Sequence, residues 1–265
     1  MEQSLKSYLN FIGLFIFSLS FSQVNCDAIQ DENCKKSCQI SNYAEKFQWN
    51  EYAQTWFDEA IKLCATNDYA YREKAVPFLK AGDFITWKKL IDKAVEINPN
   101  HNLGYRAWCR YQFLRDYRGA IADFQELEKL RPNDLGYSQN GDYQLEIVKG
   151  ICYSAIGQKE KAISIIENKL SDKNHSVGFY DYYQLGVTYF ELNKFEKALE
   201  NFEKQSKISD FAENIYFRAK VSKIRNKDYL DLKKMALKKY DGGQYMKDTY
   251  THHYNKIYRK QIADL

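Results

Sequence analysis

The chain has 265 residues, 45% of them hydrophobic and 28% charged, with three prolines and a formal net charge of +4 at pH 7. Its 22 tyrosines and 16 phenylalanines exclude a disordered or collagen-like polymer. The length suffices to bury a sizeable core, although an elongated array would not need a single central one.

Lys6, an apolar run from Leu9 to Phe21 and the small residues Ser20 and Ser22 read as a signal peptide over residues 1–22, cleaved before Gln23. The run is shorter than the ~20 apolar residues a spanning helix needs, which places a retained anchor second. A lipid anchor on Cys26 fits poorly, because Val24-Asn25 is a poor match to a lipoprotein processing site. An exported chain, periplasmic or secreted and without a membrane span once cleaved, is the expectation. Export permits disulfides among the six cysteines.

Residues 23–33 form a polar lead-in, and helical periodicity starts at Cys34. A first helix carries Ile40 and Ala44 inward; a second carries Ala53, Phe57, Ala60 and Ile61 on one stripe. Two antiparallel helices bring the start of the first beside the end of the second. Cys34 or Cys38 should therefore lie near Cys64, as a covalent clasp or as buried thiols. A second pair spans Asp68 to Pro99, turning at Ala81-Gly82-Asp83, with Phe84, Trp87, Ile91 and Ala94 on the return stripe. Pro77 falls inside its first helix and is expected to kink or split it. A third pair runs from His101 to Pro132, with Trp108 and Tyr111, then Tyr117, Ala120, Ile121 and Phe124.

Pro99 to Pro132 and Trp87 to Ala120 are both steps of 33 residues, which marks an internal repeat. The turn-rich stretch 133–142 breaks that period as an insertion. A fourth pair follows over Tyr143 to Asn174, a fifth after the linker Ser171 to Val177, and a degraded sixth from Glu213 to Tyr240. Residues 241–265 read as a basic tail with a short helix near 255–263.

The fifth pair holds the clearest motif. Tyr182-x2-Leu185-Gly186-x2-Tyr189 is followed by Ala198-x3-Phe202, two amphipathic faces with small residues where helices press closest. This resembles the tetratricopeptide repeat, in an exported protein of bacterial type, with tyrosine in place of the motif's tryptophan. The resemblance covers about residues 34–240. It implies an all-α, right-handed superhelical solenoid of antiparallel helix pairs, five clear or fair and one degenerate. It further implies a concave groove, lined by first helices, that takes a protein or peptide ligand. By position the groove would be lined by Arg72, Leu79, Tyr105, Gln112, Phe113, Ile147, Tyr180, Tyr183, Val187, Phe190 and Arg225. Some members clamp a terminal carboxylate with lysine, asparagine and arginine. Here Cys38 stands at the first lysine position, which argues against that mode.

No Gly-rich phosphate loop, H-E-x-x-H or G-x-S-x-G occurs. His101 and His175 fall in linkers and His252-His253 in the tail, and Cys34-x3-Cys38 lacks zinc-site spacing. No catalytic residue, cofactor or metal site is expected, and the protein reads as a non-enzymatic binder. Residues 217–265 carry 13 Lys/Arg against 5 Asp. A basic end suits an acidic partner or surface, and export disfavours nucleic acid. The alternative is a structural part of an envelope-associated assembly that self-associates through its end repeats.

Overall fold

The computed structural model describes residues 24–132 and 134–265. The expected signal peptide lies outside the described residues. Six helical pairs follow one another: α1 (Glu32–Glu45) with α2 (Glu51–Leu63), α3 (Asp68–Ala81) with α4 (Phe84–Ile97), and α5 (Pro99–Cys109) with α6 (Tyr117–Leu130). Then come α7 (Leu145–Ala155) with α8 (Lys159–Ser171), α9 (Asp181–Glu191) with α10 (Phe195–Ile208), and α11 (Ala212–Ile224) with α12 (Leu230–Asp241). A last short helix, α13, spans Arg259–Ala263. Among the described residues the regular secondary structure is helical, with one isolated bridge between Tyr137 and Gln144 inside the period-breaking stretch.

Local chemistry sets the helix ends. Asn67, Asp83, Asn98 and Asp116 each accept a backbone N–H of the first turn that follows, satisfying one of the donors a helix start leaves free. Pro99 occupies the first turn of α5, where its missing N–H costs nothing. The turn inside each of the last five pairs contains a residue in the left-handed region: Gly82, Arg115, Gly157, Asn193 and Asn226. Glycine and asparagine adopt that conformation most readily, which is why turn-forming residues recur there.

Helix α3 runs unbroken through Pro77, against the expected split. Ala75 and Leu79 on either side of it are buried in the core, so packing holds the helix across the lost backbone bond. Phe84, expected on the buried stripe of α4, is 38% exposed; it is the first residue of that helix, one turn short of the buried Trp87.

In the fourth and fifth pairs the helices meet through small residues. A Cβ on Gly186 would lie 2.5 Å from the Phe202 ring, and one on Gly150 would lie 2.5 Å from Ile166. Leu185, Tyr189, Ala198 and Phe202 are all buried at the α9–α10 contact. Successive first helices also touch: α1 meets α3, α5 meets α7, α7 meets α9 and α9 meets α11. First helices therefore form an inner layer and second helices an outer one, the arrangement of a curved solenoid.

One continuous core extends from Ala75 to Ile262. The first pair has a smaller core of its own, Ala44, Ala53, Phe57 and Ala60 packed with Ala70. Cys34 is joined to Cys64 and Cys26 to Cys38, so the amino-terminal pair is stapled twice. Cys34, the earlier of the two candidates, is the partner of Cys64. Cys109 and Cys152 are free and fully buried, and burial raises both thiols.

Replacing Cys34 and Cys64 by serine should cost about 3.6 kcal/mol, the loop-closure value for a separation of 30 residues. Denaturant titration of the first pair, with non-reduced peptide mapping showing 34–64 and 26–38 links in the parent, checks this. Gly186→Ala should destabilise by about 1–3 kcal/mol through overpacking against Phe202. Its urea midpoint should fall with the slope unchanged.

Candidate functional site

The inner layer is where the first helices could meet a ligand, and the chain's own carboxyl-terminal segment lies along it. After α12, Gly242 and Gly243 reverse the chain, with Gly243 at φ +74°. The Gln244 carbonyl accepts the Ala212 N–H, a free donor at the start of α11 (2.9 Å). The Met246 N–H donates to both carboxylate oxygens of Glu213, at 3.1 and 3.2 Å, and the Met246 side chain is fully buried.

The segment then reaches across the inner face to the first half of the array. Tyr250 stacks on Trp49 with centroids 6.4 Å apart, and Lys80 sits 4.5 Å from the Tyr250 ring centroid. Thr251 Oγ1 donates to the Gln112 carbonyl (3.0 Å), and the Arg115 guanidinium donates to the His252 carbonyl. These partners stand at the end of α5, which closes in a π-helical turn over Arg110–Leu114. Carbonyls at a helix end lack helical partners, and Thr251 takes one of them.

On the return, His253 enters between Tyr143 and Tyr180, with centroids 6.3 and 5.1 Å from its own. Its Nε2 donates to the Lys247 carbonyl (2.9 Å) and lies 3.6 Å from the Asp142 carboxylate. Gln184 Nε2 donates to the Tyr254 carbonyl (3.1 Å), and Gln184 Oε1 accepts from Asn255 Nδ2 (2.8 Å). Tyr183 donates its hydroxyl to the Asn255 carbonyl (2.5 Å). Lys256 Nζ donates to the Met246 carbonyl and lies 3.4 Å from Glu213 Oε1. Arg259 pairs with Asp241 at 2.7 Å, so both ends of the segment rest on the last pair.

Burial raises the carboxyls of Glu213 and Asp142, with the nearby Lys256 and His253 opposing the rise in each case. Burial also pushes the Tyr183 hydroxyl well above the usual phenol range and the Tyr180 hydroxyl up to about 12. Both therefore stay protonated donors at neutral pH.

The residues expected to line the groove have several fates. Tyr180 and Tyr183 come together on the inner face beneath His253 and Asn255; Tyr183 is fully buried there. Gln112 meets Thr251 through its backbone carbonyl, and its side chain is buried. Leu79, Ile147 and Val187 are core residues with at most 2% exposed, because neighbouring helices cover their faces. They offer a ligand no surface. Arg72, Tyr105, Phe113, Phe190 and Arg225 remain partly exposed. Arg72 pairs with Glu73 and lies 5.9 Å from the Tyr105 ring centroid, while Phe113 packs edge-on against Trp108. Phe190 packs on Phe217, and Arg225 pairs with Glu196.

Asp142, Tyr143, Gln184 and Glu213 escaped the sequence reading. The signal that could have found this site lies in the tail. A solvated basic tail has no need of Tyr245, Met246, Tyr250, Tyr254 and Ile257. Among the described residues, no group of three or more His, Cys, Asp or Glu is placed to hold a metal ion.

Tyr183→Phe should remove one hydrogen bond from the Asn255 carbonyl at a cost of about 1 kcal/mol. Hydrogen exchange should quicken over 253–257 while the helical amides keep their rates.

The tetratricopeptide-repeat family profile matches residues 182–210. No curated protein matches the sequence. Among solved structures the chain is similar to PilW, a widely conserved type IV pilus biogenesis factor, with TM-score 0.62 and 15% identity over 80% of this chain and 95% of that one. It is similar to PilF of Pseudomonas aeruginosa, with TM-score 0.59 and 13% identity over 80% and 94%. It also resembles YrrB, a tetratricopeptide protein with an unusual peptide-binding site, at TM-score 0.52 and 20% identity over 69% and 91%. At such identities the likeness is one of fold. One tetratricopeptide repeat is thus matched at 182–210, and the six stacked helix pairs have the fold of these structures.

Proposed function

We propose that this protein is a non-enzymatic scaffold that binds a protein or peptide partner on its concave face. Tetratricopeptide arrays are a protein-interaction fold, and YrrB is described with a peptide-binding site. The observation that carries the reading is the inner layer holding an extended chain through side chains bonded to its backbone carbonyls, Tyr183 and Gln184 foremost. Such bonds read main chain, so a foreign segment could use them as well as the resident one.

Export fits the two disulfide links, which persist in oxidising compartments. Among the described residues no helix is long and apolar enough to cross a membrane. The pilus role of PilW agrees with an envelope setting.

A photo-crosslinking amino acid at Tyr105, Phe113 or Tyr180 should yield partner adducts in cells, and one at Glu126 on the outer helix α6 should not. Adducts confined to Glu126 would defeat the concave-face reading. The self-association reading draws on a different observation, the exposed aromatic side chains Tyr43, Phe47, Trp49 and Tyr52 on the terminal pair. It requires a dimer in sedimentation that Phe47→Ser/Tyr52→Ser dissolves; a monomer at every concentration removes it.

A further inference from the structure

We propose that residues 244–258 are a resident surrogate ligand, and that the groove exchanges them for an extended, cationic, aromatic segment of its partner. The proposal rests on the concave-face reading above and adds the partner's chemistry and the step that admits it.

Four observations support it. The segment has almost no secondary structure over a length at which loops are usually functional. Of its residues only Met246, His253 and Ile257 are buried; the rest are half-exposed or exposed and held by hydrogen bonds, ion pairs and aromatic contacts. Segments with few buried contacts open well before the helices they rest on. Gly242-Gly243 supplies a pivot at one end, and the Arg259–Asp241 pair at the other is exposed.

The charges decide the ligand. Glu213, with no exposed surface, faces Lys256, and Asp142 faces His253. An acidic segment would set carboxylate against carboxylate at both positions, whereas a basic one reproduces the resident pairs. Tyr143 and Tyr180 flank His253, with Phe211 edge-on against Tyr180, an aromatic niche suited to an imidazole or another aromatic ring. Beside the seam, the groove donors Gln112 Nε2 and Arg115 Nη1 are buried without partners. The resident segment therefore leaves hydrogen-bonding capacity in the groove that a true ligand's carbonyls can take up.

The test uses the full chain and a labelled synthetic peptide copying residues 244–258. Tyr250→Ala/Thr251→Ala removes the contacts of the segment's tip with Trp49, Lys80 and Gln112 and replaces no residue of a helix. A site closed most of the time shows its affinity reduced by the open fraction, so the loosened variant should bind the peptide about tenfold more tightly than the parent. A peptide with Lys256→Glu should lose that binding. Equal affinity for parent and variant, or undiminished binding of the glutamate peptide, overturns the proposal. Native-state hydrogen exchange on the unaltered protein gives a second readout. Amides of 246–258 should exchange by local opening; exchange only through global unfolding makes the segment a permanent part of the fold and overturns the proposal. Partner adducts at Tyr105 or Phe113 with exchange of 246–258 unchanged would leave the scaffold reading standing and remove this one.

Discussion

The fourth and fifth helix pairs depend on close approach at positions that have no side chain to spare. Gly186 lies under the Phe202 ring and Gly150 under Ile166, each too near for a Cβ. With Ala198 and Ala162 fully buried at the same contacts, the paired helices press closely enough to bury an aromatic or branched residue between them. A pair so joined still has an apolar side uncovered, and only the next pair covers it. Stacking follows from that need. The inner layer follows from the stacking, since first helices meet first helices as the array curves.

The ends of the array handle the missing neighbour in two ways. The first pair has a small core and takes two disulfides, and Asn67 at the start of α3 donates to its Ser37 and Ser41 hydroxyls. The last pair is covered by the chain itself. Residues beyond α12 cross the inner face and return, so that Met246, Ile257 and Ile262 complete the core at that end. Covering the last pair and filling the groove are therefore done by one segment. The basic charge of the carboxyl-terminal region is partly spent inside, where Lys256 meets Glu213.

How much of this was legible depended on the range of the interaction. Gly82, Gly157, Asn193 and Asn226 mark turns because left-handed backbone favours those residue types, a property of a few neighbouring atoms. Arg115 holds the same conformation with no such preference, and no propensity would have pointed to it. The stripes through Phe57, Trp87, Phe124 and Phe202 were legible because helical period alone puts them on one face. Pro77 suggested a split that does not occur, because its local cost was clear and the burial of Ala75 and Leu79 was not. Leu79, Ile147 and Val187 misled for a related reason: the motif tells which way a residue points from its own helix, and says nothing of how near the next helix lies.

By itself the sequence determined the fold class, the helix pairs, the 33-residue step from the second to the third, and many of the residues packed within a pair, all set by contacts between chain neighbours or within one repeat. Only the tertiary structure decided which cysteine meets Cys64, which inner residues keep any surface, and that residues 244–258 lie against Gln184 and Tyr183, some 70 positions earlier in the chain. Those contacts join segments whose meeting depends on the curvature of the whole array. That curvature sums small rotations at every pair interface, and no single repeat encodes the sum.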